Sequence, residues 1–400
     1  MVELLAPAGN MDKLKTAFYF GADACYFAGT KFGLRAYAGN FTDKNLKESV
    51  EYAHSLNKKA YVTVNIIAHN ADFDGMAEYL KYLYEIGVDA VIVADVGIIE
   101  LIKKVCPKLE IHVSTQANIT NKYAAKFFCD LGVKRLVLAR ELSVKEIKEI
   151  RDFIPADVEL EAFVHGAMCI SYSGRCLLSN YMANRDSNKG ACVQACRWEY
   201  TIHEKSRNNE EYPIYEDNRG TYILNSKDLN MIEYLQELID AGVTSFKIEG
   251  RMKSVYYVAT VVNAYRRAID NLQKHKQDSV LTLELNKASH RNYTTGFYFG
   301  SSDKECLSSS TPVQTHEFMA VVLSENKNGQ VLIEQRNRFK VGDTLEVLSP
   351  NKTFNKTIAV ESLKDENGAD VIDALQVQQK LYLKTNLKLM PGDILRKKIV

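Results

Sequence analysis

Gly87-Val88-Asp89-Ala90-Val91-Ile92-Val93 is one copy of a phrase that recurs along this 400-residue chain. The others are Gly21-Ala22-Asp23-Ala24-Cys25-Tyr26-Phe27, Gly132-Val133-Lys134-Arg135-Leu136-Val137-Leu138 and Gly242-Val243-Thr244-Ser245-Phe246-Lys247-Ile248. A helix-like segment precedes each copy. The glycine suits the left-handed residue that ends a helix, and the apolar run after it suits a strand buried on both faces. Leu4–Ala6, Ala60–Asn65, Ile111–Thr115 and Glu159–Val164 are further strand candidates, with amphipathic stretches such as Phe73–Ile86 and Ser143–Phe153 between them. Strands alternating with helices in this number predict an α/β fold, a (β/α)8 TIM-type barrel. An open doubly wound sheet is the alternative, but no G-x-G-x-x-G follows a strand to favour it.

Polar residues stand where these strands end: Asn65, Asp95, Ser114-Thr115-Gln116, Arg140-Glu141, His165, and Glu249 to Arg251. In a barrel these ends open on one face, and active sites are built there. Any one of them also reads as a loop polar or a helix cap. Residues 180–225 break the rhythm with a polar stretch too long for an ordinary loop. The expected organisation is a barrel over 1–300 with a cysteine-bearing insertion at about 165–225, a serine-rich linker at 301–312, and a small antiparallel β-barrel domain over 313–400. Strands are expected at Phe318–Leu323, Val331–Glu334, Gly342–Val347, Thr357–Val360 and Lys380–Thr385. Asn328-Gly329 and Asn367-Gly368 are hairpin signals.

Charge is balanced, 51 basic against 50 acidic residues, so any polyanion must be held by a local surface. MVELLAPAGN has neither a basic leader nor a long apolar run, and no stretch reaches membrane-spanning length, so a cytoplasmic chain without a membrane partner is expected. Thiols in that compartment stay reduced. Of eight cysteines, Cys25, Cys106, Cys129 and Cys306 are scattered, whereas Cys169, Cys176, Cys192 and Cys196 fall within 28 residues. Four thiolates close a tetrahedral metal site. Neither pair has the two-residue knuckle usual for zinc, and small residues (Gly166, Ser171, Gly174, Gly190, Ala191, Ala195) flank the cysteines, which favours an iron–sulfur cluster. Structural zinc and unrelated buried thiols stay open. Cys192-x3-Cys196 does not extend to a radical-type triad, because Glu199 stands at the third position. Hydrolase signals are poor: His316-Glu317 lacks the second histidine of H-E-x-x-H, and neither G-x-S-x-G nor a P-loop occurs.

The run Glu161-Ala-Phe-Val-His165-Gly166-Ala-Met-Cys169 through Cys176-Leu-Leu-Ser179 resembles the signature of the U32 collagenase-like "peptidase" family. Leu5-Ala-Pro-Ala-Gly9, Val113-Ser-Thr-Gln116, Arg185-Asp186, Gly190 to Trp198, Asn225-Ser-Lys-Asp-Leu229, Lys247-Ile-Glu-Gly-Arg251, Ile333 to Asn337 and Val341-Gly-Asp343 extend the likeness. The branch it is most similar to hydroxylates tRNA. The resemblance therefore implies 5-hydroxyuridine formation at wobble position 34, with an iron–sulfur cluster of 4Fe-4S type and prephenate as co-substrate. A U32 peptidase is the alternative, and a non-catalytic RNA-binding scaffold with structural zinc is a second. Some relatives use a cysteine directly after Asn-Ser-Lys-Asp-Leu as fourth ligand. Asn230 stands there, so Cys196 is left to complete the set.

His165, Glu249 and Arg251 are the candidates for proton handling and catalysis. Arg140, Lys227 and Arg175 are candidates for binding a small anionic co-substrate, since a dicarboxylate calls for fixed cations. For tRNA, Arg336, Arg338 and Lys340 form one cationic row if they share a strand, and Arg396, Lys397 and Lys398 add a basic end to the chain.

Overall fold

Gly87, Gly132 and Gly242 lie in the left-handed region, at φ of 81°, 75° and 93°. A helix has just ended before each, and a parallel strand begins three residues later. The recurring phrase is thus the helix-to-strand joint of the fold. The computed structural model describes residues 2–33, 40–169, 171–172, 174–183, 185–195, 227–272, 274, 279–300 and 313–399, with 202–203, 211–212, 215–217 and 220–222. The expected linker at 301–312 lies outside the described residues, as does much of the insertion.

Eight strands form the barrel: β1 (Glu3–Pro7), β2 (Ala24–Phe27), β3 (Lys59–Val64), β4 (Ala90–Val93), β5 (Glu110–Val113), β6 (Arg135–Val137), β7 (Glu159–Ala167) and β8 (Ser245–Ile248). Each pairs in parallel with the next, and β8 pairs with both β7 and β1, which closes the sheet. All eight expected strands are present. A short strand, Asp228–Asn230, runs antiparallel along the end of β7 and sets Leu229 opposite Gly166. The helix Val144–Phe153 is fixed by a capping box between Ser143 and Glu146 and buries Ile147 and Ile150. The stretch expected as one helix from Phe73 instead starts at Met76: Gly75 takes a left-handed φ of 73°, which separates a short 3-10 turn, Asn70–Phe73, from the helix. Among the described residues no helix is long and apolar enough to cross a membrane.

The chain divides into two compact units. The first comprises residues 1–14, 23–252 and 291–312; the second comprises 15–22, 253–290 and 313–400. The second unit contains the helix Val255–Leu272 and an antiparallel sheet of eight strands. Its core is apolar, with Ile333, Leu345, Val347, Leu381, Leu383 and Leu395 fully buried. Asn328-Gly329 turns one hairpin with both residues at positive φ, 52° and 77°, as a two-residue loop demands.

Two expectations about basic residues are corrected here. The chain bends at Arg336–Asn337 between the strands Gln330–Gln335 and Phe339–Lys340, so Arg336, Arg338 and Lys340 do not share one strand. Arg336 pairs with Glu334 at 2.7 Å and Arg338 with Asp373 at 2.6 Å. The basic end is not a tail either, because Ile394–Lys398 is an interior strand of the sheet. Arg396 is fully buried. Its guanidinium bonds both oxygens of Glu284, at 2.5 and 2.9 Å, and Glu346 Oε1 at 2.6 Å. Lys287 bridges the same two carboxylates at 3.0 and 2.7 Å. Lys397 pairs with Asp343 at 2.7 Å.

Removing Arg396 strands two carboxylates around a buried gap. Arg396→Ala is expected to destabilise the second unit by about 3–5 kcal/mol, read from hydrogen exchange of the His316–Val322 amides across a urea series. Lys398→Ala, at an exposed position, is expected to change little.

Candidate active site

Glu159, Glu161 and Phe163 alternate along β7, so one face of that strand carries all three toward the barrel interior. Glu161 has no exposed side-chain surface. Lys247 on β8 donates to its Oε1 at 2.7 Å, and Arg135 on β6 lies 3.0 Å from its Oε2. Arg135 also holds Glu3 and Glu159, each at 2.6 Å, and Tyr61 donates to Glu3 at 2.7 Å. Burial alone pushes the Glu161 carboxyl up, but Lys247 and Arg135 outweigh it and hold the group at about 2. Burial also works against the Arg135 charge, and Glu161 and Glu3 more than restore it. His112, wholly buried, is pushed down by desolvation although Glu110 sits 3.1 Å away.

Beyond this layer, toward the C-terminal ends of the strands, a cavity of about 90 Å³ is lined by Tyr26, Phe163, Arg140, Lys247, Glu249 and Arg251, with Thr63, Asn65 and Ser114–Gln116 completing the wall. Three cations line it against Glu249, and with Lys247 already paired to Glu161 the wall keeps an excess of one positive charge. Arg140 stacks on Phe163, 4.0 Å from the ring centroid, donates to the Ala167 carbonyl at 2.8 Å and lies 3.9 Å from Glu249. Tyr26 donates to the Ile248 carbonyl at 3.0 Å and to Glu249 at 3.3 Å. Arg251 donates to Asn40 at 2.5 Å.

Backbone packing sets this loop. A Cβ on Gly166, whose φ is 105°, would stand 2.5 Å from the Glu249 carbonyl oxygen, and one on Gly9 would stand 2.6 Å from that of Arg251. Only glycine lets both neighbours press against residues 249–251.

The other candidates lie around this centre. His165 is buried on β7, but its ring faces Tyr293 at 5.5 Å between centroids, and it does not line the cavity. Its carbonyl accepts from the Glu249 amide at 2.8 Å. Lys227 is half-buried just before the short strand Asp228–Asn230 and is absent from the lining. Arg175 is exposed on the cysteine loop. Asp95 caps the helix Val96–Val105 by accepting from Gly97 and Ile98.

The two cysteine-bearing loops are tied together at the mouth. Ser187 and Asn188 donate to the Cys176 carbonyl at 2.7 and 3.3 Å, and the Val193 amide donates to Ser179 at 2.9 Å. A Cβ on Gly174 would stand 2.3 Å from the Gln116 carbonyl oxygen, so the first loop rests on the end of β5. Cys169 and Cys192 are exposed and Cys176 is half-buried. The Gln194 amide donates to the Cys192 sulfur at 3.3 Å, the kind of bond that tunes a thiolate ligand. Cys196 lies outside the described residues. Among the described residues no three His, Cys, Asp or Glu side chains are gathered as a metal site. The donor chemistry suits a thiolate-bound cluster: accessible sulfurs on linked loops. Cys25 and Cys106 are buried elsewhere.

Lys247, Glu161, Arg135 and Tyr26 were not among the expected site residues. A signal existed: Arg135, Glu161 and Lys247 are charges inside runs that otherwise read as strands buried on both faces.

The family profile described as peptidase family U32 matches residues 9–308, and that of the U32 C-terminal domain matches residues 314–396. The chain is 41% identical to tRNA hydroxylation protein P1 of Bacillus subtilis, covering 99% of this chain and 94% of that one. It is 38% identical to tRNA hydroxylation protein P of Escherichia coli, covering 91% and 90%. It is also 38% identical to the 23S rRNA 5-hydroxycytidine C2501 synthase of Escherichia coli, covering 78% of this chain and 44% of that one. With both profiles matched and two relatives aligned over nearly their whole length, this chain belongs to peptidase family U32.

Proposed function

We propose that this protein is an RNA-modifying enzyme that hydroxylates tRNA, forming 5-hydroxyuridine at wobble position 34 with prephenate as co-substrate. The observation that carries the reading is the small cavity with an excess of cations at the C-terminal mouth of the barrel, beside the cysteine loops. Prephenate is a dicarboxylate, and a wall with an excess of cations complements it. The relatives named above modify tRNA or ribosomal RNA by hydroxylation, which supports an RNA substrate. The reading places the enzyme in the cytoplasm, where tRNA is.

In this proposal Cys169, Cys176, Cys192 and Cys196 bind a 4Fe-4S cluster, which supplies electron-transfer or Lewis-acid chemistry at the mouth. Arg140 binds a carboxylate of the co-substrate, Arg251 adds positive charge to the same wall, and Glu249, held by Tyr26, is positioned to exchange a proton with it. His165 supports the Glu249 backbone through its carbonyl.

Two outcomes test the proposal. Alanine at any one of Cys169, Cys176, Cys192 or Cys196 is expected to abolish iron loading and visible absorption in anaerobically purified protein, because three thiolates leave an open iron site. Alanine at Cys25, Cys106, Cys129 or Cys306 is expected to leave both intact. Full iron content in Cys196→Ala would remove it from the ligand set. Deleting the gene is expected to eliminate 5-hydroxyuridine and its derivatives from tRNA nucleosides measured by mass spectrometry, and cluster-loaded protein is expected to leave gelatin uncut. Gelatin cleavage lost in Cys176→Ala would favour the peptidase alternative instead.

A further inference from the structure

Lys247 is 4% exposed and sits inside a closed barrel. Taking an ammonium out of water is costly unless a counter-charge accompanies it. Glu161 supplies that charge at 2.7 Å, yet it is shared with Arg135. Arg135 has Glu3 and Glu159 besides, so it does not depend on the Glu161 Oε1 that holds Lys247 at the cavity wall. Lys247 lies over Tyr26, 4.5 Å from the ring centroid, and 5.6 Å from the centroid of Phe163. Arg140 lies against the same Phe163 ring at 4.0 Å. One aromatic wall thus carries two cations within reach of the two ends of a single small molecule.

Two further atoms point to a ligand. Thr63 is 4% exposed, lines the same cavity, and among the described residues its Oγ1 has no hydrogen-bond partner. Arg140 Nε is likewise buried without an acceptor among the described residues. Buried polar atoms left unmade are costly and are normally satisfied, so both are explained by an occupant that brings oxygen atoms.

We propose that Lys247 is the specificity-determining residue of this cavity: its ammonium, fixed by Glu161, binds one carboxylate of a compact dianion while Arg140 binds the other. The inference deepens the co-substrate reading above and rests on it. A monoanion engages one cation and forgoes the second charge-assisted bond, so it binds more weakly for what it lacks rather than for its size. Tyr26 and Phe163 give the body of the ligand an aromatic surface. Glu161 is a positioning residue, acting through Lys247.

The experiment is calorimetric titration of the purified full-length protein with prephenate, with phenylpyruvate as a monocarboxylate of similar body, and with succinate and malonate as plain dicarboxylates. Wild type is expected to prefer prephenate over phenylpyruvate. Lys247→Met is expected to weaken prephenate about 10- to 100-fold, the worth of one charge-assisted bond, and phenylpyruvate much less, so that the preference collapses. Lys247→Met also strands Glu161, so the paired change Lys247→Met with Glu161→Gln is run beside it. That variant removes the ion pair as a unit and is expected to keep the wild-type melting temperature and lose the same selectivity. Undiminished preference for prephenate in both variants would overturn the inference and leave the co-substrate reading standing. Should wild type ignore prephenate but bind succinate or malonate in a Lys247-dependent way, the inference holds and prephenate falls. Failure of wild type to bind any of these dianions would overturn both.

Discussion

The charge of Glu161 is the constraint around which the barrel interior is arranged. A carboxylate with no solvent contact costs several kcal/mol unless paired and hydrogen-bonded. Arg135 and Lys247 approach it from the two strands that flank β7, and Arg135 in turn needs Glu3 and Glu159. An apolar filling of similar volume would be at least as stable, as barrels with layers of branched aliphatic residues illustrate. The ionic layer is therefore not explained by stability. Its consequence is a fixed ammonium under the cavity, which an apolar layer could not supply.

The same economy appears in the backbone. Residues 249–251 leave β8 between Gly166 on one side and Gly9 on the other, with carbonyl oxygens where a Cβ would stand. Glu249 and Arg251 are thus held by contacts that only glycine permits, and Tyr26 and Asn40 fix their side chains. The sequence segments around residues 5–9, 161–179 and 247–251 are far apart in the chain and converge on this one junction.

The barrel was legible because its joints repeat: a left-handed glycine followed by an apolar run has few other meanings. The cysteines drew notice because four of them crowd a short span in a chain with few, and the structure ties together the loops that carry Cys176 and Cys192. Lys247 and Arg135 were not, because a charge within an apolar run reads as an outward residue until the strand is known to line a closed interior. Arg396 was misread for a related reason. Three basic residues near a chain end suggest an exposed tail, and only the fold brings Glu284, 112 positions earlier, against the guanidinium. Asp95 went the other way: its place after a strand suggested chemistry, and it caps a helix.

Placement of the basic side chains also bears on how RNA would meet the proposed site. Arg336, Arg338, Lys397 and Arg396 are engaged by carboxylates within the second unit, so each would have to exchange an intramolecular partner for a phosphate, at little net gain. Arg175, by contrast, is exposed on the loop that carries Cys176. The cavity wall, lined by Arg140, Lys247 and Arg251, suits a small anion. In the proposed reaction a uracil base would reach the mouth from outside, and the co-substrate would occupy the interior. Wobble position 34 is unpaired in the anticodon loop, so presenting its base requires unstacking without breaking a pair, and an enzyme that works at a barrel mouth on an extruded base meets the smallest energetic barrier there.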